Sequence, residues 1–243
     1  MSGASSRSIG GSVAAAFLVL LFAGSAPAQD RVAASSYRQF WLWGGVKPGA
    51  FLGHAETLYV LQGQIASGGV FTRQGGAPAA IAIPELYLVY RLQSLDWHPT
   101  LLVSILNQIA AWEHAGSRVA GIELDFDART PRLAEYAAFL RDIRAALPRA
   151  YRLGVTGLLD WSTGGSPEAF QSLAGTVDEI VFQTYRGRQT IPGYRDYLAA
   201  IARLRLPFKI GIVEGGAWDR AAEGRLASSP FYRGVVVFLT THR

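Results

Sequence analysis

The chain has 243 residues, a formal charge of +5, 50% hydrophobic residues and no cysteine. The missing cysteines exclude disulfides, thiolate metal sites and a thiol nucleophile. The basic residues are nearly all arginine, with Lys47 and Lys209 the lysines, and they stand singly. No nucleic-acid partner is expected, because such binding calls for a clustered basic stripe with interleaved aromatics.

In chain order the first predicted element is a leader over residues 1–28. Arg7 supplies its positive n-region, residues 13–23 its short apolar stretch, and Ala26-Pro27-Ala28 a small-x-small cleavage site. The apolar stretch is too short for a comfortable membrane span, and no later segment is as apolar. The expectation is an exported protein, periplasmic or secreted, with one domain over residues 29–243; an uncleaved N-terminal anchor is the alternative.

Beyond the leader, apolar runs of strand length recur at 39–43, 57–63, 86–91, 121–127, 151–156, 179–184, 208–213 and 234–238. Helical spacing separates several of them. Residues 99–116 place Leu102, Ile105, Leu106, Ile109 and Trp112 on one face, and residues 131–147 do the same before Pro148 stops the helix. A short helix opens at Ser166-Pro167, and another spans 192–204. Eight strands joined by crossovers predict parallel pairing and a single (β/α)8 TIM-type barrel. Its outer layer is expected to be incomplete: residues 44–56 and 64–85 carry no helical pattern, and no helix follows the last strand. An open doubly wound sheet is the structural alternative.

The strand at 121–127 carries the chemistry. Ile122, Leu124 and Phe126 alternate with Glu123, Asp125 and Asp127, so the acids share one face and the hydrophobes the other. In a barrel the acid face points inward, and catalytic groups sit at the C-terminal strand ends. Asp127 stands at that end, Asp125 one step deeper and Glu123 deeper still. Close like charges push carboxyl pKa values apart, leaving one group protonated beside an ionised partner, the equipment of a general acid with a stabilising or basic helper. On this reading Asp127 is a functional carboxyl, while Asp125 reads either way. The competing reading is structural, with Glu123 and Asp125 paired to arginines such as Arg91 or Arg152; for Glu123 that reading is preferred.

The stretch Gly121-Ile122-Glu123-Leu124-Asp125-Phe126-Asp127 resembles the fourth-strand motif of chitinase-type glycoside hydrolases. The resemblance implies the acid/base role for Asp127 and a supporting role for Asp125. Phe182-Gln183-Thr184-Tyr185 is similar to that family's methionine-threonine-tyrosine signature, which implies a sugar contact for Tyr185. Two positions depart from the motif: Ala120 replaces its leading aspartate, and Asp127 is one methylene shorter than its final glutamate. A longer resemblance runs through Arg132-Leu133-Ala134-Glu135-Tyr136, Phe139-Leu140-Arg141, Val155-Thr156-Gly157-Leu158, Asp160-Trp161 and Val177-Asp178-Glu179-Ile180-Val181. It is to the bacterial domain-of-unknown-function family 3142, and it implies an exported barrel without implying an activity.

The other candidates are substrate contacts. Gln183 shares a strand face with Tyr185. Glu214, before Gly215-Gly216, is a third acid at a strand end, and Glu123 completes the acidic face. Trp43 and Trp161 offer flat rings for sugar stacking. Residues 160–166 read either as a mobile loop over the barrel mouth or as an ordinary surface loop. His54, His98, His114 and His242 lack zinc-ligand spacing, and no nucleotide-binding loop or Gly-x-Ser-x-Gly elbow is present, so no metal and no cofactor are expected. Two functions follow: a glycan-active hydrolase, or a non-catalytic barrel that binds a polysaccharide or another partner.

Overall fold

The computed structural model describes residues 30–46, 49–164 and 167–240. The leader expected over 1–28 lies outside them, as do Gly165 and Ser166 of the expected loop. Eight strands form the frame: β1 Gln39–Leu42, β2 Thr57–Ala66, β3 Glu85–Leu92 and β4 Val119–Phe126, followed by β5 Arg152–Leu158, β6 Glu179–Gln183, β7 Phe208–Val213 and β8 Tyr232–Leu239. Each pairs in parallel with the next. β8 returns to β1 in the register Val237↔Phe40, Phe238↔Trp41 and Leu239↔Leu42, which closes a barrel. A doubly wound sheet would leave two open edges and is ruled out.

The strands form where β-branched and aromatic residues can be buried on both faces, as along β7 and β8. Their alternation sorts the core into two bodies. Leu58, Leu86, Ile122, Leu124, Ile180 and Val237 belong to the layer under the helices. Trp41, Tyr59, Tyr87, Val181, Val236 and Phe238 fill the barrel interior. Gly211 keeps that interior closed-packed, since a Cβ there would lie 2.7 Å from the Phe238 ring.

The outer helices are α1 Pro99–His114, α2 Leu133–Ala146, α3 Trp161–Gly164, α4 Pro167–Ala174, α5 Tyr194–Ile201 and α6 Arg220–Leu226. Pro99 begins α1, where its missing N–H costs nothing, and the extended Leu147 before Pro148 ends α2. Among the described residues the first two crossovers carry no α-helix. A 3-10 turn over Ala50–His54 fills the first; in the second, Val70–Arg73 folds back antiparallel along the end of β2. Two helices differ from the sequence reading. α6 was not expected; Asp219 caps it, accepting from the backbone N–H groups of Ala221 and Ala222. The expected loop at 160–166 instead begins as α3, because Trp161 is drawn into the apolar layer.

Candidate functional site

β4 sends Ile122, Leu124 and Phe126 into the outer layer and Glu123 and Asp125 into the barrel, as its alternation dictates. Asp127 follows the last residue of the strand. Three levels of polar groups stack along the interior.

At the N-terminal end, the Lys209 ammonium lies 3.0 Å from Glu179 and donates to the Tyr59 hydroxyl at 2.7 Å. Tyr59 in turn donates to Glu179, closing a buried triangle. Below it Arg152 pairs with Glu85 at 2.6 Å and reaches the Tyr87 hydroxyl.

At mid-height, Glu123 is fully buried and accepts from Thr156 Oγ1 at 2.7 Å and Trp41 Nε1 at 3.4 Å. Burial pushes its carboxyl up to about 8; Glu179 and Asp125 push the same way, while the Thr156 and Trp41 hydrogen bonds oppose them. Glu123 is therefore mostly a neutral acid at pH 7.

At the C-terminal end, Asp125 is 4% exposed and forms part of the floor of a cavity of about 890 Å³. Burial raises its carboxyl to about 6; neighbouring Asp127 adds to the rise, and Arg91 and Thr156 offset it. Asp127 stands at the cavity wall with Arg91 Nη2 at 3.5 Å from its Oδ2. Arg91 also lies over the Trp43 ring, 5.6 Å from its centroid. The expected pairing of Glu123 or Asp125 with Arg91 or Arg152 is thus corrected. Arg91 is the register partner of Asp125, but its guanidinium reaches past that residue to Asp127, and Arg152 is taken up by Glu85.

The cavity gathers Asp125, Asp127, Tyr185, Gln183 and Trp43 of the sequence-expected set. The Tyr185 ring packs on Phe238 at 4.8 Å, and its hydroxyl, though buried, has no hydrogen-bond partner among the described residues. Burial and the Asp125 and Glu123 charges hold that phenol well above its ordinary pKa, so it stays neutral.

Three candidates lie apart from the cavity. Glu123 sits beneath it, enclosed. Glu214 does not line it, and a Glu214 carboxylate oxygen accepts from the Thr240 backbone N–H at 3.4 Å. The glycines after Glu214 serve the backbone: Gly215 has φ of 75°, and both glycines hydrogen-bond Val32. Trp161 is buried with its ring in the helix layer, where its indole N–H donates to the Ala128 carbonyl at 2.6 Å. It offers no face to a sugar and instead pins the loop that carries Asp127.

The sequence reading named Arg91 near these acids but not the three arginines that join it at the mouth. Arg91, Arg129, Arg186 and Arg188 all line the cavity. Arg186 and Arg188 ride on a hairpin of Tyr185–Arg186 and Gln189–Thr190, turned at Gly187 with φ of 58°. The Arg-Gly-Arg triplet directly after a strand was the available signal. A second depression of about 480 Å³ shares Trp43, Gly44 and Arg91 with the first. Among the described residues, no three His, Cys, Asp or Glu side chains are gathered to hold a metal ion, and no helix is long and apolar enough to cross a membrane.

The barrel is similar to solved structures at low sequence identity. With the xylanase and α-amylase inhibitor protein XAIP-II of Scadoxus multiflorus it shares 12% identity over 76% of this chain and 84% of that one, at a TM-score of 0.51. With the tamarind chitinase-like lectin the values are 9%, 76%, 84% and 0.50. With the spore cortex-lytic enzyme SleL of Bacillus cereus they are 21%, 65%, 43% and 0.44, so the chain spans less than half of that protein's length. None of the curated proteins matches. Residues 84–205, from the start of β3 to just past α5, match the domain of unknown function DUF3142, and the chain belongs to that family.

Proposed function

We propose that the mouth cavity binds a glycan and that Asp125 and Asp127 hydrolyse it as an acid/base pair. One observation carries this reading: two carboxyls of the same strand face meet a cavity of about 890 Å³ in unlike environments. Burial keeps a proton on Asp125 up to about pH 6. Asp127 is more open, its carboxylate 3.5 Å from the Arg91 guanidinium and its side chain 65% exposed. This supports giving the proton to Asp125, where the sequence reading gave it to Asp127. Asp125 would protonate the glycosidic oxygen as the C–O bond breaks, and Asp127 would take a proton from the attacking water. Tyr185 and Gln183 would orient the ring, with Trp43 beside them. Export through the leader would deliver the protein to the periplasm or beyond, where such polymers lie.

The name of one protein that shares the fold, a chitinase-like lectin, also points toward saccharides. It bears on a second reading, a barrel that binds glycan without cleaving it. The Arg91–Asp127 ion pair favours that reading, because it neutralises a carboxylate that hydrolysis needs.

Reducing-end release from a panel of polysaccharides separates the two. Hydrolysis predicts that Asp125→Asn and Asp127→Asn each lower turnover by about 10²-fold or more, and that the wild-type rate falls above about pH 6 as Asp125 loses its proton. Retention of polymer with no product at any pH selects the binding reading. Turnover unchanged in both variants rules out the acid pair.

A further inference from the structure

We infer that the saccharide this cavity takes is anionic, its rings bearing carboxylate or sulfate groups. The inference rests on the glycan reading and names the class of glycan.

Four guanidinium groups face three carboxyls in the cavity wall, so cationic groups outnumber acidic ones there. Asp127 has Arg91, Asp160 accepts from Thr130 Oγ1 at 2.8 Å, and Asp125 is buried where charge is disfavoured. Arg129 and Arg186 are exposed at the wall, and neither has an ion pair among the described residues. They come from different directions, Arg129 from the loop after β4 and Arg186 from the hairpin after β6. The cavity thus presents cationic forks on two of its walls. A guanidinium fork matches the two oxygens of a carboxylate or sulfate, and a concave site of one sign concentrates counter-charged ligand.

A cavity built for neutral sugar would present bare aromatic rings. Trp43 is poorly placed for that, with Arg91 over its ring and the Trp41 centroid at 4.3 Å. Tyr185 lines the cavity, and its buried hydroxyl is unpartnered among the described residues.

Calorimetric titration with tetragalacturonate, its full methyl ester, a sulfated galactan tetrasaccharide and neutral N-acetylchitotetraose tests this. The galacturonate or the sulfated ligand is expected to bind about tenfold or more tighter than the methyl ester, and the advantage should shrink as salt rises. Whichever of the two binds tighter identifies the anion. The double variant Arg129→Gln/Arg186→Gln should lose that advantage while its thermal midpoint and its binding of the neutral sugar stay put. Equal binding of acid and methyl ester, with the double variant unaltered, overturns the anionic class and leaves the glycan reading standing. No binding of any of the four by a folded protein overturns both.

Discussion

At the N-terminal end of the barrel interior, Lys209, Glu179 and Tyr59 bond to one another in a closed triangle. At the C-terminal end, Asp125 and Asp127 have one arginine between them, and the Tyr185 hydroxyl has no partner among the described residues. Both ends place acids inside the same eight-stranded wall, so burial alone does not mark a site. What separates them is completeness. A buried charge whose partners are all supplied by the fold serves the fold, whereas one whose complement is unfinished and meets a cavity is available to a ligand. The chain passes from enclosure to cavity within five residues, from Glu123, whose buried Oε2 has no partner among the described residues, through Asp125 to Asp127 just beyond β4.

The largest break in this contrast comes from Lys209→Met. It strands the Glu179 carboxylate in the interior, and removing one member of a buried pair costs about 3–5 kcal/mol. Urea unfolding should register that loss. Adding Glu179→Gln should recover much of it, since removing both charges leaves less unmet. A single variant as stable as the wild type would show that the triangle is ornamental.

An effect of comparable size tests the middle level. The folded-state carboxyl of Glu123 titrates at about 8, above its ordinary 4.5, so the folded chain keeps a proton that the unfolded chain releases. Its contribution is full below pH 4.5 and is lost as pH rises to about 8; Asp125 acts in the same sense up to about pH 6. Each pH unit between the unfolded and folded titrations is worth roughly 1.4 kcal/mol, so wild-type stability should fall by a few kcal/mol across that window. Glu123→Gln should flatten most of the slope in urea titrations at pH 5, 6.5 and 8. An unchanged slope would assign the pH dependence to other groups.

These contrasts were partly legible in the sequence, and the division has physical reasons. All eight barrel strands could be read because each is buried on at least one face and therefore apolar at period two or throughout. β2 runs on to Ala66, past the expected end at residue 63, because Val70–Arg73 pairs with its last residues, and that strand lies in a segment with no hydrophobic period. α6 escaped notice because Ala222 and Leu226 are its only buried residues. The acid face of β4 was legible because alternation fixes a face. The partners of those acids were not, since which carboxylate Arg91 reaches depends on the length of its side chain against barrel curvature. Trp161, beside a run of serine, threonine and glycine, reads as a loop residue until Ala128 is seen to hold its indole.

The smallest expected effect is the sharpest test of the upper end. Arg91 and Asp127 have side chains 41% and 65% exposed, so solvent screens their pairing. Asp127→Asn and Arg91→Gln should each move the unfolding free energy by no more than about 0.5 kcal/mol. Their effects on Asp125 should nevertheless be opposite in sign. Arg91 favours the ionised Asp125 and Asp127 disfavours it. Arg91→Gln should therefore move the Asp125 titration above the wild-type value of about 6, and Asp127→Asn should move it below. Carbon-13 chemical shifts of the Asp125 carboxyl across pH 3–9 can follow both variants in the folded protein. Movement in the same direction would mean that repacking of the cavity floor, rather than these two charges, sets the proton affinity of Asp125. Movement in opposite directions would tie Asp125 to charges at the cavity wall that a bound anion can also perturb.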